Sequence, residues 1–264
     1  LGIDPLTQRH RMDESLSIIM RLLTEPEPIT YESEWFTLKD ARIHLGPYTH
    51  PHFPVAVAAS QSPAGMILAG KHGTSVLSLS VLKDGISQTL GDFWNIAQQT
   101  AAEHDKTMDR NEWRLVMLVH LAESRKEAFE EVRKGAATYQ REYFENTMGF
   151  DPIYDGPADK IVEMAVENGV WCIGTPEDLI ETIHRLDNNS GGFGGFLIQT
   201  TEFATREQVR RSYELIARYV MPEFQNSLIS LQQSQQWAAG VSRELMDLRK
   251  RAIKRAEQEY TDQP

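Results

Sequence analysis

The sequence predicts an α/β fold, a parallel β-sheet with helices packed on its outside, and three observations carry that prediction. Pro54-Val-Ala-Val-Ala-Ala59 is a short, unbroken apolar run, as expected of a strand buried on both faces. Three more such runs follow, at Ser75–Ser80, Arg114–Leu121 and Gly195–Thr200. Each is succeeded by a segment with helical periodicity, and strands that alternate with helices in this way pair in parallel.

The elements follow in order. Met12, Leu16, Ile19 and Leu23 recur at helical spacing ahead of Pro26 and Pro28, which predicts an amphipathic first helix. Residues 35–45 alternate loosely and stop at Gly46-Pro47, which predicts a small peripheral β excursion. Helices are then predicted from Pro63, over 86–104, over 125–148 and over 205–221, one behind each strand. A closed (β/α)8 barrel of the TIM type needs eight strands and usually about 250 residues. Four strands are visible, so residues 1–225 are expected to form only part of such a barrel and to leave two parallel edges open. Residues 226–264 read as a C-terminal helical extension. Its closing Leu-Arg-Lys-Arg-Ala-Ile-Lys-Arg is either a solvated face or an oligomer contact.

Composition narrows the function. With 264 residues, 41% hydrophobic and 25% charged, the chain has the makings of a sizeable core. A net charge of -11 argues against sequence-independent binding to nucleic-acid phosphates or to an anionic membrane, and points to a small or neutral partner. Cys172 is the only cysteine, which excludes an internal disulfide framework and a multi-cysteine zinc site and fits a reducing, cytoplasmic setting. No run approaches the roughly 18 apolar residues of a membrane span, and no export signal is visible.

Chemistry-bearing motifs are few. Ala58-Ala59-Ser60-Gln61-Ser62-Pro63 joins the end of a buried strand to a helix start. Free N–H groups and the helix dipole favour an anion there, and two hydroxyls add hydrogen bonds without negative charge; the competing reading is that Ser60 or Ser62 only caps the helix. Gly174-Thr175-Pro176-Glu177-Asp178 reads as a structural helix start, since its two carboxylates would repel a phosphate. Ser190-Gly191-Gly192-Phe193-Gly194-Gly195 lacks Gly-x-Gly-x-x-Gly spacing and reads as a tight helix-to-strand loop. No histidines stand at metal-binding spacing. His120, inside the run Leu115–Leu121, is either a satisfied core histidine or one that faces an active site at the strand end, and Cys172 beside Trp171 reads as core.

Arg11-Met12-Asp13-Glu14, Trp35-Phe36-Thr37-Leu38, the junction at Ser60 and Ala69-Gly70-Lys71-His72-Gly73 together resemble the luciferase-like monooxygenases in order and spacing. Asp109-Arg110-Asn111-Glu112-Trp113-Arg114, the 190–196 loop and Ala217-Arg218-Tyr219-Val220-Met221-Pro222 resemble the branch that contains limonene and long-chain alkane monooxygenases.

The resemblance covers about residues 1–225 and places them after the fourth strand of a family barrel, its C-terminal half to two-thirds. It implies reduced FMN as cofactor, O2 and an apolar small molecule as substrates, a separate NAD(P)H:flavin reductase and a homo-oligomer. It assigns the flavin phosphate to Ser60 and its neighbours Ala59, Gln61 and Ser62, and the ring to the strand end from Ser78 to Ser80. The resemblance places the family's catalytic histidine in a part that precedes residue 1, so no catalytic residue is carried over to this sequence. Residues 145–170 correspond to a mobile active-site loop, which would shield the flavin chemistry from water. An F420-dependent oxidoreductase of the same superfamily and a non-catalytic flavin-binding subunit are the rival readings.

Overall fold

The four apolar runs form the parallel sheet they predict, and a fifth short strand joins it. The structure, a computed structural model, describes residues 4–59, 62–79 and 89–261. The chain divides into two compact units, Leu1–Ser212 and Tyr213–Pro264.

The first unit opens with α1 (Gln8–Thr24) and an antiparallel hairpin of β1 (Ile29–Glu32) and β2 (Thr37–Ala41). The hairpin is the predicted excursion, enlarged by a strand over residues 29–32. In α1 the buried residues are Leu16 and Ile18, whereas Met12 and Ile19 of the expected stripe are exposed. β3 (Ala56–Ala59), α2 (Ala64–His72), β4 (Ser75–Ser78), α3 (Leu90–Glu103), β5 (Trp113–Leu121) and α4 (Arg125–Thr138) then alternate as expected. A π-helical stretch, Tyr139–Thr147, continues α4. After it come α5 (Ile161–Glu167), β6 (Trp171–Gly174), α6 (Pro176–Ser190), β7 (Gly195–Gln199) and α7 (Arg206–Leu215), whose last residues cross into the second unit. α5 lies inside the stretch expected to be an irregular loop; Ile161, Val162 and Ala165 give it a buried face.

Register explains how β5 serves three neighbours. Arg114 and Leu115 pair with β4 and with β7, whereas Leu118 pairs with β6 and with β7. A strand has only two edges. β7 therefore takes one edge of β5, and β4 and β6 share the other, β4 at its start and β6 at its end. The run β3-β4-β5-β7 is the partial barrel wall, and β5 continues past it to hold β6.

The pairing also sorts the wall residues into two faces. Val57, Ala59, Val76, Ser78, Trp113, Leu115 and Met117 share a buried face that packs on helices, where the Trp113 ring stacks on Trp94 of α3 at 4.9 Å. Ala56, Ala58, Leu77, Val116 and Leu197 share the opposite face. It is open: Ala56 and Ala58 are exposed, Leu197 is 43% exposed, and Leu79, just beyond β4 on the same face, is 50% exposed. In a closed barrel this apolar face is the interior.

In the second unit, a π-helical turn (Ile216–Val220) and α8 (Met221–Phe224) precede α9 (Ile229–Thr261), a helix of 33 residues. Among the described residues, no helix is long and apolar enough to cross a membrane.

Candidate functional site

The strand ends converge where β3 and β4 finish side by side. Ala59 pairs with Ser78, and the Leu79 N–H donates to the Ala59 carbonyl at 2.8 Å. The first turn of α2 lies directly on this edge because two small residues meet there. A Cβ added to Gly65 would stand 2.8 Å from the Ala59 Cβ and 3.0 Å from the Ala58 carbonyl oxygen. Only glycine at 65 and a small residue at 59 bring the helix start this close to the strand end.

α2 follows directly on Pro63, which has helical backbone angles, and among the described residues no side chain caps it. Ser62, half-buried, thus does not fill the capping role that one reading gave it. The first-turn N–H groups of a helix have no partner within it and carry the positive end of its dipole, which is an anion-binding arrangement. Ser60 and Gln61, in the connection between Ala59 and Ser62, lie outside the described residues, as does Ser80.

Ser78 is buried on the helix-facing side of β4, and its hydroxyl accepts the Trp113 indole N–H at 2.9 Å. What β4 presents to the open face at this end is the side chain of Leu79. The Arg110 guanidinium lies 5.1 Å from the Trp94 ring centre and 5.9 Å from that of Trp113, and it donates to the carbonyls of Ser190 at 2.7 Å and Gly192 at 3.0 Å. One cation on two stacked indoles thereby holds the glycine-rich loop that feeds β7. Gly191 and Gly192 take left-handed angles (φ 73° and 104°), which confirms a tight turn.

The other motif residues brace this frame. Asp13 on α1 accepts Lys71 Nζ at 2.6 Å and His72 Nε2 at 2.7 Å, both from the end of α2. Burial works against ionisation of Asp13, but those two hydrogen bonds and charges outweigh it and hold the carboxyl below its ordinary range. Glu14 receives the Tyr31 hydroxyl at 2.9 Å and the Trp35 indole at 2.6 Å, fastening the hairpin to α1.

His120 resolves as a satisfied core histidine. Its Nε2 sits 2.7 Å from Glu131 of α4, and the side chains are 6% and 7% exposed. Glu131 also pairs with Arg211 of α7, which reaches Glu127 at 2.9 Å, and the Leu121 N–H donates to Ser212 at 2.9 Å. Cys172 is buried in β6, where loss of solvent pushes its thiol up to about 12. Thr175 heads α6 with its N–H donated to Asp178 at 2.8 Å and Pro176 at the first position, the structural helix start expected from sequence. Sequence reading named Arg110 only as part of a family motif and missed Glu131 and Arg211; the hydrogen-bond partners of both arginines lie 80 or more residues away and His120 lies 11 from Glu131, so no local pattern marks these contacts.

Comparison with known proteins adds four findings. The family model described as luciferase-like monooxygenase matches residues 1–192. The chain is 38% identical over 246 residues to 4-hydroxyprotoasukamycin monooxygenase of Streptomyces nodosus subsp. asukaensis, covering 92% of this chain and 66% of that protein. It is 40% identical over 229 residues to limonene 1,2-monooxygenase of Rhodococcus erythropolis, covering 86% of this chain and 58% of that one. The chain thus spans about three-fifths to two-thirds of those relatives. In fold it resembles the oxygenating constituent of 3,6-diketocamphane monooxygenase of Pseudomonas putida, solved in complex with FMN, with a TM-score of 0.62 at 23% identity over 84% of this chain and 66% of that one.

Proposed function

This chain belongs to the luciferase-like monooxygenase family, and we propose that it serves a flavin-dependent monooxygenase that uses reduced FMN and O2 to oxygenate an apolar, terpene- or alkane-like small molecule. The observation that carries the reading is the start of α2, uncapped among the described residues and set against the ends of β3 and β4, beside an open apolar sheet face.

The residues present fit a flavin phosphate. The first-turn N–H groups of α2, with the hydroxyls of Ser60 and Ser62 and the Gln61 amide, would hold the dianion. Ala59, small and uncharged, neither fills that space nor repels it. The end of β4 at Ser78, with Leu79 after it, would stand beside the ring. When bound, reduced FMN supplies the reaction with oxygen. The protein's part is to orient it and exclude water, and Ala58, Leu77, Leu79 and Leu197 offer a dry surface that an apolar substrate would share. This role falls to residues 1–225, with 226–264 as an appended helix. A separate NAD(P)H:flavin reductase would supply the reduced cofactor, in the cytoplasm.

The test is FMN titration of the chain, followed by turnover with a flavin reductase and limonene or a long-chain alkane. Ser60→Ala should remove one hydrogen bond to a charged group, about 1.5–3 kcal/mol, and weaken FMN binding roughly ten- to a hundredfold. Ser60→Asp should do worse, although aspartate caps a helix as well as serine does. Undiminished binding by Ser60→Asp would remove the phosphate site from this junction. Preference for F420 over FMN, read from the absorbance of the bound cofactor, would favour hydride transfer over oxygenation.

A further inference from the structure

α9 is 33 residues long and none of them is buried. Propensity alone leaves a helix of mixed composition marginal in water, and most helical stability comes from packing an apolar face. Such a face exists. With Leu231 at position a of a heptad, Ala238, Leu245 and Ala252 also fall at a, and Val241 and Leu248 fall at d. Ser234 is the one polar residue on the seam between Leu231 and Ala252. The seam leucines stand in solvent, Leu231 at 67%, Leu245 at 50% and Leu248 at 46% exposure. Apolar residues repeating every 3.5 positions keep one seam facing a supercoiled partner.

The flanking charges identify the partner. Glu244 occupies a g position and Arg249, five residues on, an e position, the two sites that face each other across a parallel two-stranded coiled coil. Neither forms an ion pair within its own helix, whose described pairs are Lys250–Asp247 at 3.9 Å and Arg255–Glu259 at 2.8 Å. The surface is therefore complementary to itself: a second copy in register returns Arg249 to Glu244 and Glu244 to Arg249.

We infer that α9 pairs with the α9 of a second copy of this chain as a parallel, in-register coiled coil. The pairing is independent of the flavin chemistry proposed above.

Sedimentation velocity and disulfide trapping of the complete chain test it. Val241→Cys and Leu248→Cys should each form an interchain disulfide under mild oxidation, since in-register pairing sets every seam residue against its own copy. Leu245→Glu should abolish trapping at both positions. Glu244→Arg should weaken the dimer roughly five- to tenfold, and Glu244→Arg with Arg249→Glu should restore it. Trapping at only one position would mean an antiparallel pair and overturn the proposal. So would a monomer at every concentration, or self-association that survives Leu245→Glu with neither disulfide formed. Binding of α9 to anionic phospholipid vesicles without trapping would overturn it too.

Discussion

Replacing Gly65 with alanine places a methyl group where the fold has no room for it. The added carbon would lie 2.8 Å from the Ala59 Cβ, 2.9 Å from its Cα and 3.0 Å from the Ala58 carbonyl oxygen. Optimal carbon–carbon separation is about 3.5–4.0 Å, so the first turn of α2 must retreat from the end of β3 by roughly 0.5–1 Å. None of the three atoms can swing aside, because two are backbone and the third is a Cβ. Overpacking of this kind costs about 1–3 kcal/mol, partly offset by the better helix propensity of alanine, at most about 1 kcal/mol. The net loss should be about 1–2 kcal/mol, or a melting temperature lower by about 2–8 °C. The same retreat stretches the hydrogen bonds that the α2 N–H groups offer a phosphate, and FMN should bind roughly fivefold more weakly. Gly46→Ala is the control, since nothing lies within 4 Å of its added carbon. Thermal melting and FMN titration of both variants decide the matter. A Gly65→Ala chain that melts at or above the parent temperature and binds FMN equally well would refute the close-approach reasoning.

Other perturbations address the frame. Arg211→Ala leaves the buried Glu131 carboxylate with His120 alone and should destabilise by about 2–4 kcal/mol; an unchanged urea midpoint would show that the network carries no stability. Asp13 is held below its ordinary range in the fold, so its contribution is complete above about pH 4, the unfolded value, and disappears as pH falls through the lower folded one. Asp13→Asn should therefore be less stable than the parent at pH 7 and nearly equal at the acid end, and a gap that stays constant down to pH 2 would contradict this. Cys172 should resist a thiol-reactive disulfide reagent at pH 8 until the chain is unfolded, and rapid labelling of the native chain would place it at the surface.

The parts legible in the sequence are those whose cause is local. The run Pro54–Ala59 reads as a buried strand because its apolar character is continuous, and α6 announces itself through Thr175 and Pro176. β6 was not legible as a strand: four residues carry no period, and what makes Trp171–Gly174 extended is a ladder to Leu118–Leu121, about fifty residues earlier. α5 was hidden behind the Gly, Pro and Asp residues that precede it, although Ile161, Val162 and Ala165 already held its spacing. At the site, Ala59 and Ser62 could be placed from sequence, but the glycine that draws α2 onto the strand could not. Gly65 looks like any helical glycine until the atoms it must avoid are known. The resemblance marked Arg110 as part of a motif, and only the structure gives the reason, a guanidinium bridging two tryptophans and a loop.

A wall strand that outruns its wall behaves as a cantilever. Because β6 hangs from the overhanging end of β5, the excursion from Ala122 to Gly194 is anchored at Leu118–Leu121, which overlaps the ladder joining Arg114–Leu118 to β7 only at Leu118. Residues gained or lost between α4 and α6 change what is suspended there and leave the registration of β7 against β5 untouched. In this chain the stretch between α4 and α6 is therefore the place where an insertion or deletion is expected to leave the scaffold ladder in register.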